Sequence, residues 1–177
     1  MKKNIATNLL EEIEWSVSKI IPQVKYEAKL SGLKVVPEWQ DYVSESALDT
    51  SVDVPTAEEN KNMYNFGSDQ TLKLTHVIQK IYPNNKVVSS GSFLYPETGY
   101  MGWHTNSDAP CRRLYVTYKE GEGESFFRYL NEDGEVVTDY DEPGISIREF
   151  DIPELPNQLW HCVGSNCNRY SFGFRID

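Results

Sequence analysis

"RRLYVTYKEGEGESFFRYLNEDGEVVTDY", residues 112–140, decides the fold. Three short runs rich in Val, Thr, Tyr and Phe are parted by glycine-bearing turns, the texture of antiparallel strands. "NEDGE" at 131–135 is a hairpin signal, because Asp-Gly tolerates the positive φ that a tight turn needs. The same texture extends outward. "KVVSSGSFLY" at 86–95 precedes it, and "SIREF" (146–150), "LWHCV" (159–163) and "RYSFGFRI" (169–176) follow. At least seven short strands with turns between them predict a mainly β sandwich or barrel.

Upstream, the text is helical at both ends. Leu9, Leu10, Ile13, Val17, Ile20 and Ile21 fall at helical spacing, with Thr7 or Asn8 as cap and Pro22 as the stop. A second helix is expected over 69–81, with Ser68 as cap and Leu72, Leu74, Val77, Ile78 and Ile81 on its buried side. Between them, residues 35–65 are acidic and loop-like. Position 85 marks a change of texture within one domain, 1–177. Residues 1–85 form a helical and loop support, and 86–177 form a β core that the helices need in order to bury their apolar stripes.

The formal net charge is −10, which argues against a phosphate-reading nucleic-acid binder. No stretch matches a membrane span, and "MKKNIATNLLEEIEW" turns acidic too soon for a secretory signal. With Cys111, Cys162 and Cys167 read as reduced thiols, the expectation is a cytoplasmic protein.

Three histidines occur. His76 lies in the second helix and reads as a surface or packing residue. His104 and His161 stand in strand-rich text, each beside a tryptophan, in "GWHTN" and "LWHCV", 57 positions apart (161 − 104). Two histidines on different strands can converge, and with one carboxylate they form a facial triad that suits Fe(II). Two ordinary core histidines are the alternative.

The surrounding residues favour the metal. "LYPETGYMGWH" sets Tyr95 nine residues before His104 (104 − 95), with Gly99 between, and "CVGSNCNRYSFGFRI" sets Arg169 and Ser171 eight and ten residues after His161. In this order and spacing, residues 87–177 resemble the Fe(II)/2-oxoglutarate-dependent oxygenase superfamily, most closely its small prolyl-hydroxylase-like members. "WHTNSD" and "FGF" are also similar to small phage oxygenases, and the closing Arg169–Arg175 spacing to the nucleic-acid demethylase branch. The resemblance implies a double-stranded β-helix with the helices packed on one sheet. It also implies Fe(II), 2-oxoglutarate and O2 as cofactor and cosubstrates, and hydroxylation of a C–H bond with release of succinate. His104 and His161 would be the imidazole ligands. Arg169, with Ser171 and Tyr95, would hold the distal carboxylate of 2-oxoglutarate, and Arg175 is the reserve for that role.

Asn106 departs from the family pattern, which has aspartate there. Four readings stand. The amide oxygen ligates weakly; Asp108 reaches the metal through a bend in "TNSDAP"; an exogenous anion such as chloride fills the place; or the fold persists as a binding module without iron. In a regular strand, residues 104, 106 and 108 share one face, with 108 roughly 7 Å beyond 106. The substrate class stays open among a protein, a peptide and a small metabolite, and an acidic 35–65 loop at the site mouth disfavours free nucleic acid.

Overall fold

In the computed structural model the described residues are 2–51, 60–106, 109–154 and 157–177. Helix α1 spans Thr7–Ser31, and α2 spans Leu72–Ile81 behind a 3-10 turn over Ser68–Thr71. The strands are β1 Lys61–Asn62, β2 Tyr64–Asn65, β3 Val87–Tyr95, β4 Gly99–His104, β5 Cys111–Glu120, β6 Ser125–Leu130, β7 Val136–Tyr140, β8 Gly144–Ile152, β9 His161–Ser165 and β10 Asn168–Ile176.

Among the described residues these strands make two antiparallel five-stranded sheets, ordered β2-β3-β10-β5-β8 and β1-β4-β9-β6-β7. From β3 onward the chain crosses between the sheets at almost every step, and only the β6–β7 hairpin stays within one. That is the winding of a double-stranded β-helix. The hairpin turns where the Asp-Gly signal stands. Gly134 takes φ 78°, and the Asn131 side chain accepts from the Glu135 amide at 2.8 Å.

Three apolar layers hold the two sheets. The helices cover the outer face of the first sheet, where Ile13, Val17, Val24, Leu74 and Ile78 meet Leu114, Val116, Tyr170, Phe172 and Phe174. Between the sheets lie Tyr95, Met101, Phe127, Phe150, Ile152 and Val163. Outside the second sheet, Trp39 and Val43 from a 3-10 segment (Trp39–Val43) pack on Trp103, Phe126, Trp160 and Cys162.

Several local expectations are corrected. Pro22 does not end α1, which runs on to Gly32 in the left-handed cap conformation. Pro22 is exposed and costs the bond to the Ser18 carbonyl. Buried Val24 and Ala28 beyond it continue the stripe that begins at Ile13, so packing outweighs the loss. The residue at the α1 cap is Ala6, without a side-chain bond, and Leu72 is 49% exposed. The part of 35–65 that is described carries short 3-10 turns and strands. Trp39 and Val43 pack on the outer face of the second sheet, and Met63 packs against the layer between the sheets. No helix among the described residues is long and apolar enough to cross a membrane.

Candidate metal and anion site

His104 ends β4 and His161 begins β9, and the two are cross-strand partners beside a register shift in β4. Their ring centroids lie 4.1 Å apart. Each Nδ1 bonds a carbonyl two residues back in the chain, Gly102 O at 2.8 Å and Leu159 O at 2.9 Å. A carbonyl only accepts, so each Nδ1 carries the hydrogen and each Nε2 offers a lone pair. Burial pushes both imidazoles below their ordinary range, and proximity to His104 pushes His161 further down. Both rings are therefore neutral, the form that binds metals. Phe127 stacks on the His161 ring at 5.3 Å.

Asn106 adopts φ 57°, left-handed backbone that asparagine tolerates better than most residues. Its carbonyl accepts from the Ala109 amide at 3.1 Å. β4 ends at His104, so Asn106 lies beyond the regular strand. The Asn106 carboxamide reaches the histidines, with Nδ2 3.1 Å from His161 Nε2. Asp108 lies outside the described residues. Among the described residues no three His, Cys, Asp or Glu side chains form a metal-binding group, so the two imidazoles have an amide as their third neighbour.

Arg169, near the start of β10, lines the same cavity of about 170 Å³ as His104, His161, Asn106, Tyr95 and Ser171. Its Nε donates to Asp141 Oδ2 at 2.8 Å and its Nη2 to Thr117 Oγ1 at 3.3 Å, while Nη1 is buried without a partner. The guanidinium lies over the Tyr95 ring, 5.4 Å from its centroid. Burial raises the Asp141 carboxyl, but Arg169, Arg148 and the Ser125 hydroxyl outweigh it and hold the group well below the usual carboxylate range. Arg148 is bound on its other side by Asp139 at 2.9 Å.

The cavity thus gathers His104, Asn106, His161, Tyr95, Arg169 and Ser171, while Arg175 stands apart from it and reaches Asp177 at 3.3 Å. Arg148, Asp141 and Thr117 carry no motif. For Arg148 one signal existed, since a charge inside the apolar run "ISIREF" demands a buried partner. Trp103 and Trp160 turn away from the cavity into the outer layer.

The residues present fit a divalent cation and a carboxylate. Two neutral imidazoles turn unprotonated Nε2 atoms toward one space, and an orphaned buried guanidinium nitrogen opens on the same cavity.

Among solved structures, a Pseudomonas putida prolyl-4-hydroxylase is similar with a TM-score of 0.49 and 12% identity, over 100% of this chain and 91% of that one. An oxidoreductase of the 2OG-Fe(II) oxygenase family from Burkholderia pseudomallei has a TM-score of 0.38 and 10% identity, over 59% of this chain and 51% of that one. Peruvianin-I, a cysteine peptidase from Thevetia peruviana latex, has a TM-score of 0.32 and 13% identity, over 75% and 76%. No family model and no curated protein matches the chain. None of these likenesses is close enough to carry function, which rests on the cavity itself.

Proposed function

We propose that the cavity is the active site of an Fe(II)- and 2-oxoglutarate-dependent oxygenase that hydroxylates a C–H bond of a protein, peptide or small-molecule substrate. One observation carries this reading. Two neutral histidines with unprotonated Nε2 atoms, that of His161 capped by the Asn106 amide, share a single cavity with a buried arginine whose Nη1 has no partner.

In this reading His104 and His161 hold the metal through Nε2. The bonds from Nδ1 to the Gly102 and Leu159 carbonyls fix the tautomer and the ring planes, the usual service of outer partners at a metal site. Asn106 turns its carboxamide to offer Oδ1, or Asp108 supplies the third oxygen. Arg169 receives the distal carboxylate of 2-oxoglutarate on Nη1, with Asp141 and Thr117 holding the other edge of the fork. Ser171, two residues along the same strand, is on hand as a hydroxyl donor, and Tyr95 flanks the guanidinium. Met101, Phe127 and Val163 form the apolar wall that limits water. When bound, the metal and 2-oxoglutarate supply oxygen activation, with succinate, CO2 and a hydroxylated substrate as products.

The test is an anaerobic titration of metal-free protein with Fe(II) and 2-oxoglutarate, following the visible charge-transfer band of the chelate. A band that vanishes in His104→Ala supports the reading. A band in Asn106→Asp but not in the parent assigns the chain to a binding module that keeps the fold without competent iron. Absence of the band in both sinks the oxygenase reading.

A further inference from the structure

Arg113 on β5 and Arg175 on β10 are cross-strand partners. Side chains in such positions start about 5 Å apart, and like charges directly opposite destabilise a sheet. Yet the Nε of each is buried and has no hydrogen-bond partner. Arg113 is only 6% exposed, and its Nη2 makes one long contact, 3.5 Å to the Ala109 carbonyl. No carboxylate pairs with Arg113 among the described residues.

This is out of keeping with the rest of the chain. Buried Arg148 and Arg169 share Asp141, and Arg148 also has Asp139. Arg112, next to Arg113 but on the opposite strand face, is half exposed and still meets Asp151 at 3.4 Å. A buried guanidinium left without an anion is costly. In a chain of net charge −10, acidic partners are plentiful, yet among the described residues Arg113 has none and Arg175 has only the Asp177 contact at 3.3 Å, so buried Arg113 calls for a ligand.

Its position says which ligand. Arg113 lines the cavity beside His104, His161, Asn106 and Ala109. Arg169 lies six residues from the β10 position opposite Arg113, about 20 Å at the strand rise, so Arg113 and Arg169 enter the cavity from separate strand positions.

We propose that Arg113, backed by Arg175, docks an anionic group of the substrate, which makes the substrate a carboxylate- or phosphate-bearing molecule or side chain. The arginine fork suits either oxyanion. The word substrate rests on the oxygenase reading; the anion site does not.

The test uses metal-free protein labelled at arginine, with the Nε–H resonances followed by NMR as acetate or inorganic phosphate is added. The Arg113 and Arg175 signals should move together and saturate. Arg113→Gln should weaken phosphate binding about tenfold or more, the loss expected for a charged hydrogen bond. If that variant does not fold, Arg175→Gln at its half-exposed position serves, with a weakening of about threefold. The half-saturation of the Fe(II)/2-oxoglutarate band should change less than about threefold in the same variants. Arg113 signals unmoved by either anion overturn the proposal. So does a loss of 2-oxoglutarate binding in Arg113→Gln, which would make Arg113 a holder of the cosubstrate. Anion binding at Arg113 in a protein that forms no band would overturn the oxygenase reading and leave the anion site standing.

Discussion

The carboxamide nitrogen of Asn106 lies 3.1 Å from Nε2 of His161, so an amide N–H donates to the nitrogen lone pair that a metal would use. Metal binding must break this bond and turn the amide, and an amide oxygen then brings no charge to the metal. Asn106→Asp should therefore tighten Fe(II) binding by about tenfold or more, which is about 1.4 kcal/mol. Anaerobic Fe(II) titration checks this. Asn106 precedes a serine, a context that favours slow deamidation, so mass spectrometry of the parent comes first. Unchanged affinity would show that residue 106 is not the third donor.

Arg169 presents one open nitrogen because Asp141 and Thr117 occupy the others. Arg169→Lys keeps the charge beside Asp141 but loses the fork. It should raise the 2-oxoglutarate concentration at half-saturation by about tenfold while Fe(II) affinity changes little. Equal loss of both would mean that the substitution has deformed the cavity.

Asp141 joins Arg148 and Arg169 inside the sheets, with its side chain fully buried. Asp141→Asn leaves two buried guanidinium groups short of an anion and should cost about 3 kcal/mol in urea unfolding.

The same carboxyl controls acid stability. Its folded pKa lies below the unfolded value of about 3.9, so its contribution is complete above that value and is lost as the pH falls through the folded pKa. The parent's urea midpoint should drop between about pH 4 and pH 2, and the Asp141→Asn midpoint should drop less over that window. Parallel curves would rule out Asp141 as the group responsible.

Gly164 sits on β9, three residues beyond His161. A Cβ there would come within 2.5 Å of Phe126 Cζ and 2.6 Å of Trp39 Cζ3. Gly164→Ala should destabilise the fold by about 1–3 kcal/mol through overpacking, read as a shift of the unfolding midpoint at constant slope.

Much of this protein was legible as text. The runs from 86 to 176, the hairpin at 131–135 and the helical stripes from Ile13 and from Leu74 are carried by near neighbours, because burial on one side imposes a period on the chain itself. The histidines beside Trp103 and Trp160, and Arg169 after them, stood out by type and spacing. What the text did not carry were relations across strands. Pro22 reads as a stop until Val24 and Ala28 are seen against the sheet. Arg148 is an odd charge in an apolar run until Asp139 and Asp141 are found beside it. The contact of the Asn106 amide with His161, and the register that sets Arg113 opposite Arg175, depend on pairings between residues about sixty positions apart. Sequence alone determined the strands, the helical stripes and the residue types that can do chemistry. Only the tertiary structure decided which of them meet, because register between distant strands is set by the packing of both sheets at once and leaves no local period to read.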